Sequence, residues 1–162
     1  RYLNDQILKD VERAQREGHP LSAIMADIDR FKRINDEHGH ATGDEVLRQF
    51  ADLAKSVIRP LDWIARYGGE EFVIVLPGAD VMTAAQTAEK IRARCAEAPM
   101  VLSIGRIQVT ASFGVAALSR VPQSTQAAAA SLLREADMAL YTSKNEGRNR
   151  VTIANRHDLS SD

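Results

Sequence analysis

Over residues 2–17 (YLNDQILKDVERAQRE), Leu3, Ile7, Leu8 and Val11 fall at three- and four-residue intervals, the spacing that lines one face of an α-helix. Gly18-His19-Pro20 closes that helix. Residues 21–28 (LSAIMADI) are apolar almost throughout but too few for a typical helix, which predicts a buried strand. Residues 31–38 predict a short helix ended by Gly39. Residues 44–58 place Val46, Leu47, Phe50, Leu53, Ala54, Val57 and Ile58 on one helical face, with Thr42 or Gly43 just before the start and Pro60 as the stop. Two strand-like runs follow, 63–67 and 72–76, separated by Gly68-Gly69. That dipeptide suits a type I′ hairpin turn, whose central residues both need positive φ. FVIVL shows no polar alternation, so its strand is expected to be covered on both faces.

Residues 80–98 and 127–145 are helical by spacing and composition. Between them, 101–118 holds β-rich pieces, with Gly105 as a turn and 109–116 as the clearest strand. Residues 151–153 predict a last short strand, and 154–162 read as a polar, frayed tail. Strands and helices alternate around one central hairpin. The pattern therefore predicts a mixed sheet flanked by helices, an α+β fold, rather than an all-parallel doubly wound one.

The 162 residues suffice for one domain, taken as 1–153, with 154–162 as a disordered tail. An apolar fraction of 44%, a charged fraction of 27% and a formal net charge of -1 describe an ordinary globular chain. They give no reason to expect nucleic acid or anionic membrane as a partner. The single cysteine, Cys95, rules out an internal disulfide framework and is read as a small core residue. No membrane span or signal peptide is visible. The chain opens on Arg1 rather than Met, as a piece excised from a longer protein would.

Several groups of residues carry candidate chemistry. Asp27 and Asp29 stand at the end of a buried strand, where carboxylates are costly unless solvated, paired or bound to a cation. Taken alone, they fit an exposed strand end equally well. Glu70 and Glu71 follow the Gly-Gly turn. In a strand regular from Glu70 they point to opposite faces, one sharing a cation with Asp27 and the other facing a second nucleotide or a basic group. Crowded carboxylates favour a divalent cation, and oxygen ligands favour Mg²⁺. In NDEHGHATGD (35–44), Asn35 offers a donor and an acceptor and Asp44 offers two acceptors, a set able to read a guanine edge. His38 and His40 lack a third metal ligand at usable spacing. Lys144 and Arg148 stand i, i+4 near a helix end, which suits either a phosphate or a solvated terminus.

Together, ADIDRFKRIND (26–36), GHATGDEVL (39–47), RYGGEEF (66–72), TASFGVA (110–116) and ADMALYTSKNEGRN (136–149) resemble the GGDEF-domain diguanylate cyclases. RYGGEEF is the Glu-containing form of the family signature, and the likeness runs over nearly the whole chain. It implies a central sheet of about five strands related to polymerase palm and nucleotidyl cyclase domains, with the signature turn on a β-hairpin. It implies Mg²⁺, or Mn²⁺, held by Asp27, the Ile28 carbonyl and Glu70, with Glu71 assisting metal binding or catalysis. Asn35 and Asp44 match the guanine pair. Lys144 and Arg148 match cations near the β- and γ-phosphates. Backbone amides around Phe31 and Lys32 also approach phosphate, and Gly68-Gly69 let the chain come close to the α-phosphate.

The implied reaction condenses two GTP into cyclic di-GMP and releases two pyrophosphates, across a C₂ homodimer that need only be transient. Arg59 and Asp62 match an RxxD product-inhibition site, completed by Lys90 or Arg92. From elementary physics alone, an exposed Arg–Asp pair of little worth is the better reading of Arg59 and Asp62. Cytoplasmic placement, bacterial origin and fusion to sensory or regulatory domains also follow from the resemblance alone. Three features depart from the family pattern. The segment before Arg1, with its Asp-x-Leu-Thr signature, is missing; Ser143 replaces a usual Ala without expected consequence; and Trp63 is larger than usual, a cap on the core. The competing reading is an inactive GGDEF domain that senses GTP or cyclic di-GMP. A cyclase with altered base choice is disfavoured, because Asp44 would repel the acceptor N1 of adenine.

Overall fold

The computed structural model describes residues 2–155. The elements run α1 (Tyr2–Glu17), β1 (Leu21–Ile28), α2 (Phe31–His38), α3 (His40–Val57), β2 (Trp63–Arg66), β3 (Glu71–Pro77), α4 (Val81–Glu97), β4 (Met100–Leu102), β5 (Gly105–Ile107), β6 (Ala111–Ala117), α5 (Thr125–Asn145) and β7 (Val151–Ile153). The main sheet has the order β2-β3-β1-β6-β7. Only the β6–β7 pair is parallel, so the sheet is mixed as expected.

β1 lies at the centre, and all eight of its residues are buried. Its even positions Ile24, Ala26 and Ile28 join Phe72, Ile74, Phe113 and Val115 under α2, α3 and α4. Its odd positions Leu21, Ala23 and Met25 join Val73 and Val75 under α1 and α5. Burial on both faces explains why neither LSAIMADI nor FVIVL alternates. Cys95 lies in the first of these cores, its Sγ 3.4 Å from the Val109 carbonyl, and burial pushes its thiol up to about 11.

Besides shifts of one or two residues at other element ends, three boundaries bear on the fold. α3 begins at His40 rather than 44, because Gly39, at φ 89°, breaks the chain before it and Gly43 is taken into the helix. Gly105 opens a strand of a separate small hairpin, β4–β5. That hairpin is pinned to α3 where the Ser103 amide and hydroxyl donate to Glu45 and Gln49 donates to the Val101 carbonyl. The strand expected at 109–116 runs Ala111–Ala117.

Two residues do more than expected. Trp63 caps the core and also donates from Nε1 to Asp10 of α1 at 2.6 Å. The Ser143 hydroxyl donates to the Phe113 carbonyl at 2.7 Å and lies 2.6 Å from Thr152 Oγ1, tying α5 to β6 and β7. Ala154 extends the sheet by one bond to Val115, and residues 156–162 of the expected tail lie outside the described residues. No helix among the described residues is long and apolar enough to cross a membrane.

Candidate active site

The C-terminal end of β1 is where the candidate residues gather. Asp27 pairs with Glu71 across β1 and β3, so both project to the face covered by α5. Lys144, near the end of α5, donates to Asp27 Oδ2 at 2.5 Å. Asp27 is only 4% exposed. Burial lifts its carboxyl from the usual 3.8 to about 6, against the pull of Lys144, and the charges of Glu70 and Glu71 add to the rise. Burial also raises Glu71, with Lys144 opposing and Asp137 and Glu70 reinforcing it. Burial pulls Lys144 down, but Asp27, Glu71 and Glu70 together hold it above the ordinary lysine range.

This geometry corrects two expectations about the hairpin. The strand is not regular from Glu70: β3 starts at Glu71, and Glu70 lies in the turn with its carbonyl accepting from the Ile28 amide at 3.3 Å. Glu71 is therefore the directly facing partner of Asp27. Nor is the turn type I′, since neither Gly68 nor Gly69 has positive φ. The loop is wider than two residues. Tyr67 and Gly68 both donate to the Glu71 carbonyl, and Arg66 clamps the carbonyls of Gly68 and Gly69 with its guanidinium.

The two aspartates separate in role. Asp29 accepts from Thr110 Oγ1 at 2.7 Å, Ser112 Oγ at 2.6 Å and the Asn149 amide at 3.0 Å. It is a buried staple between β1, β6 and the loop after α5. The sequence carried no sign of this, because its partners lie 81 to 120 positions away. Directly after it, Arg30 adopts a left-handed conformation (φ 56°, ψ 35°) and opens α2 without a side-chain cap. The first helical amide to reach back is that of Ile34, to the Arg30 carbonyl. The amides of Phe31 and Lys32 thus stand at an uncapped helix N-terminus, a natural anion seat.

Asn35, on α2, packs against Gly43 of α3. A Cβ at Gly43 would lie 1.9 Å from Asn35 Oδ1, so only glycine admits this approach. Asn35 Oδ1 is buried and lacks a hydrogen-bond partner. Such a group is costly and uncommon. Asp44 is exposed on α3, next to Gly43.

Lys144 and Arg148 do not share a helix as expected. α5 ends at Asn145, and Gly147, Arg148 and Asn149 all have positive φ, so Arg148 belongs to a compact loop. The Arg59–Asp62 pair is not the exposed pair that elementary physics suggested. Asp62 is buried and accepts from the Arg59 amide, Nε and Nη2, while Arg59 Nη2 also donates to the Pro77 carbonyl. Arg92 grips Glu89 with two bonds and donates from Nη1 to Asn149. Lys90 is exposed.

The site suits a hard cation in kind. Asp27, Glu70, Glu71 and the Ile28 carbonyl offer only oxygen, and the raised Asp27 pKa marks a carboxylate that a divalent ion would relieve. Among the described residues, no three His, Cys, Asp or Glu side chains are gathered closely enough to hold a metal outright. A cavity of about 860 Å³ lies at the other end of the sheet, lined by Pro20, Leu118 and Arg120 among others, and includes none of these residues.

A buried acid at a strand end, an acidic turn facing it, an uncapped helix N-terminus and an unsatisfied amide acceptor form a site suited to nucleotide phosphates. The chain matches the family described as "Diguanylate cyclase, GGDEF domain" over residues 1–150, and it belongs to that family. It is 42% identical over 153 residues to the response regulator PleD of Caulobacter vibrioides, covering 93% of this chain and 33% of that one. It is 44% identical over 134 residues to diguanylate cyclase A of Treponema denticola, covering 83% of this chain and 35% of the relative. The chain thus spans about a third of the length of these curated relatives.

Among solved structures, the active GGEEF domain of a diguanylate cyclase from Vibrio cholerae matches with a TM-score of 0.85 and 41% identity, over 94% of each chain. The GGDEF domain of DgcB from Caulobacter crescentus, solved in complex with c-di-GMP, matches with a TM-score of 0.86 and 34% identity. That match covers 94% of this chain and 88% of that one.

Proposed function

We propose that this domain is a Mg²⁺-dependent diguanylate cyclase that joins two GTP molecules into cyclic di-GMP. The observation that carries the reading is the buried Asp27 carboxylate, faced by Glu71 and neighboured by Glu70 and Lys144, at the open end of the sheet. Each domain holds one GTP. The 3′-hydroxyl of each nucleotide attacks the α-phosphorus of the other; a P–O bond forms and pyrophosphate leaves, twice per product. A C₂ homodimer, transient or stable, brings the two nucleotides face to face.

Asn35 accepts from the guanine edge with its unpartnered Oδ1, and Asp44 accepts beside it. The Phe31 and Lys32 amides, Lys144 and Arg148 hold the phosphate tail, and the Gly68-Gly69 turn lets backbone approach it. Asp27, Glu70, Glu71 and the Ile28 carbonyl are the residues to hold the metal. When bound, the cation supplies charge stabilisation at the reacting phosphate. Arg59 and Asp62 form the product-inhibition site. Both Asp62 oxygens are occupied by Arg59, so the guanidinium is the recognising group there. Arg92 is committed to Glu89 and Asn149, which makes Lys90 our choice to complete that site.

Incubating the protein with GTP and Mg²⁺ and assaying dinucleotide and pyrophosphate tests the reading. Two pyrophosphates per cyclic di-GMP are expected. Absence of product at high protein concentration, where dimers form, would favour a nucleotide-sensing module instead.

A further inference from the structure

The loop after α5 is held more tightly than its exposure suggests. Gly147, Arg148 and Asn149 have φ of 121°, 65° and 47°, a run that two L side chains adopt only when their surroundings impose it. The surroundings are specific. The Arg148 amide donates to the Ser143 carbonyl at 3.0 Å, which ties the loop to the end of α5. The Arg148 carbonyl accepts from Arg150 Nε at 3.2 Å, and the Arg150 carbonyl accepts from the Phe113 amide at 2.9 Å on β6.

Asn149 makes the two longest-range bonds. Its amide donates to Asp29 Oδ2 at 3.0 Å, and its side-chain Oδ1 accepts from Arg92 Nη1 at 3.0 Å. Arg92 is in turn oriented by its two bonds to Glu89 on α4. One residue thus bridges the end of β1, beside Asp27 and the N-terminus of α2, to a helix that contributes no other group to the site.

We propose that Asn149 is a positioning residue for the phosphate tail of the nucleotide, with Asp29 and Arg92 as its two anchors. It fixes the left-handed loop that carries Arg148. Asp29 ties the Arg148 loop to β6 and the residue just ahead of it, because its one carboxylate accepts from Thr110, Ser112 and the Asn149 amide together. Arg92 supplies the only tie from α4 to this loop among the bonds described, so α4 is mechanically connected to the phosphate-binding side. This inference rests on the nucleotide-binding reading above, and its consequence is confined to the phosphates: the guanine seat at Asn35 and Gly43 shares no bond with the bridge.

The test uses binding, so that it does not depend on turnover. The affinities of wild type, Asn149→Gly, Arg92→Ala and the double variant are measured for α,β-methylene-GTP and for GMP, with Mg²⁺ and with cyclic di-GMP removed. Glycine keeps the left-handed backbone and the Asp29 bond while deleting the side-chain bridge. Each single variant is expected to bind the triphosphate analogue roughly fivefold more weakly, the worth of one net hydrogen bond, with GMP affinity unchanged. The double variant is expected to be no weaker than either single one, since both break the same bond. Unchanged analogue affinity, an equal loss for GMP, or fully additive losses would each overturn the bridge. Failure of the wild type to bind either nucleotide would overturn the nucleotide-binding reading and the bridge with it, whereas intact binding without turnover would overturn only the cyclase assignment.

Discussion

Replacing Asp27 by Asn removes a charge from a place where the fold resists it. The native carboxyl titrates at about 6 against the usual 3.8, chiefly because it is buried. Between those two values the native state binds the proton more tightly than the unfolded chain does. Native stability therefore falls as pH rises through that window; the penalty is absent below 3.8 and complete above about 6. At about 1.4 kcal/mol per pKa unit, the ionised Asp27 costs about 3 kcal/mol at pH 7.5 and below about 1 kcal/mol at pH 4. The attraction of Lys144 is already contained in that balance, and Lys144, a third exposed, can turn to solvent when its partner is neutral.

Asp27→Asn is thus expected to be more stable than wild type at pH 7.5, by about 3 kcal/mol, while losing cyclase activity. The gain should shrink to below about 1 kcal/mol at pH 4. Urea denaturation of both proteins in EDTA at the two pH values measures it. A variant no more stable at pH 7.5, or a gain that does not change with pH, would show that the buried charge is not what the site sustains at a cost to the fold.

Three further outcomes follow from the same geometry. Glu71→Gln should lower turnover at least about 100-fold, as Glu70→Gln should, because Glu71 faces Asp27 directly; a wild-type rate with native circular dichroism would remove either residue from the reacting centre. Gly43→Ala pushes a Cβ to within 1.9 Å of Asn35 Oδ1 and must displace that side chain, so KM for GTP should rise about tenfold or more; an unchanged KM would detach Asn35 from guanine. Arg59→Ala should retain the initial rate, relieve inhibition by added cyclic di-GMP, and reduce stability by about 1–3 kcal/mol as Asp62 is left buried without its two bonds from the guanidinium, keeping only the one from the residue-59 amide. Inhibition curves identical to wild type would move the product site elsewhere.

Much of this was legible in the order of residues. Runs of apolar residues without alternation announced strands covered on both faces, because each β1 and β3 side chain meets a helix. Period-3.6 stripes located the long helices to within a few residues. The residue types at the site, oxygen-only acids, an amide and two cations around glycine turns, were chemistry that local sequence carries by itself. Where the chain was misread, the missing information was long-range. Gly43 is expected just before the helix, yet it lies inside α3, where Asn35 takes the space a side chain would fill.

The tertiary structure alone decided which acids face each other. Strand register depends on pairing between segments more than 40 positions apart, and a one-residue shift moves every side chain to the opposite face, so GGEEF could not say that Glu71, rather than Glu70, lies across from Asp27. The same holds for Asp62, buried by its own arginine, and for Arg148, lifted off α5 into a left-handed loop. Asn149 shows the limit most plainly: its neighbours in sequence are unremarkable polar residues, and its two anchors come from β1 and α4. Local pattern sets what each segment becomes, because helix and strand periods are short-range; only packing brings Asp29 and Arg92 to the same asparagine.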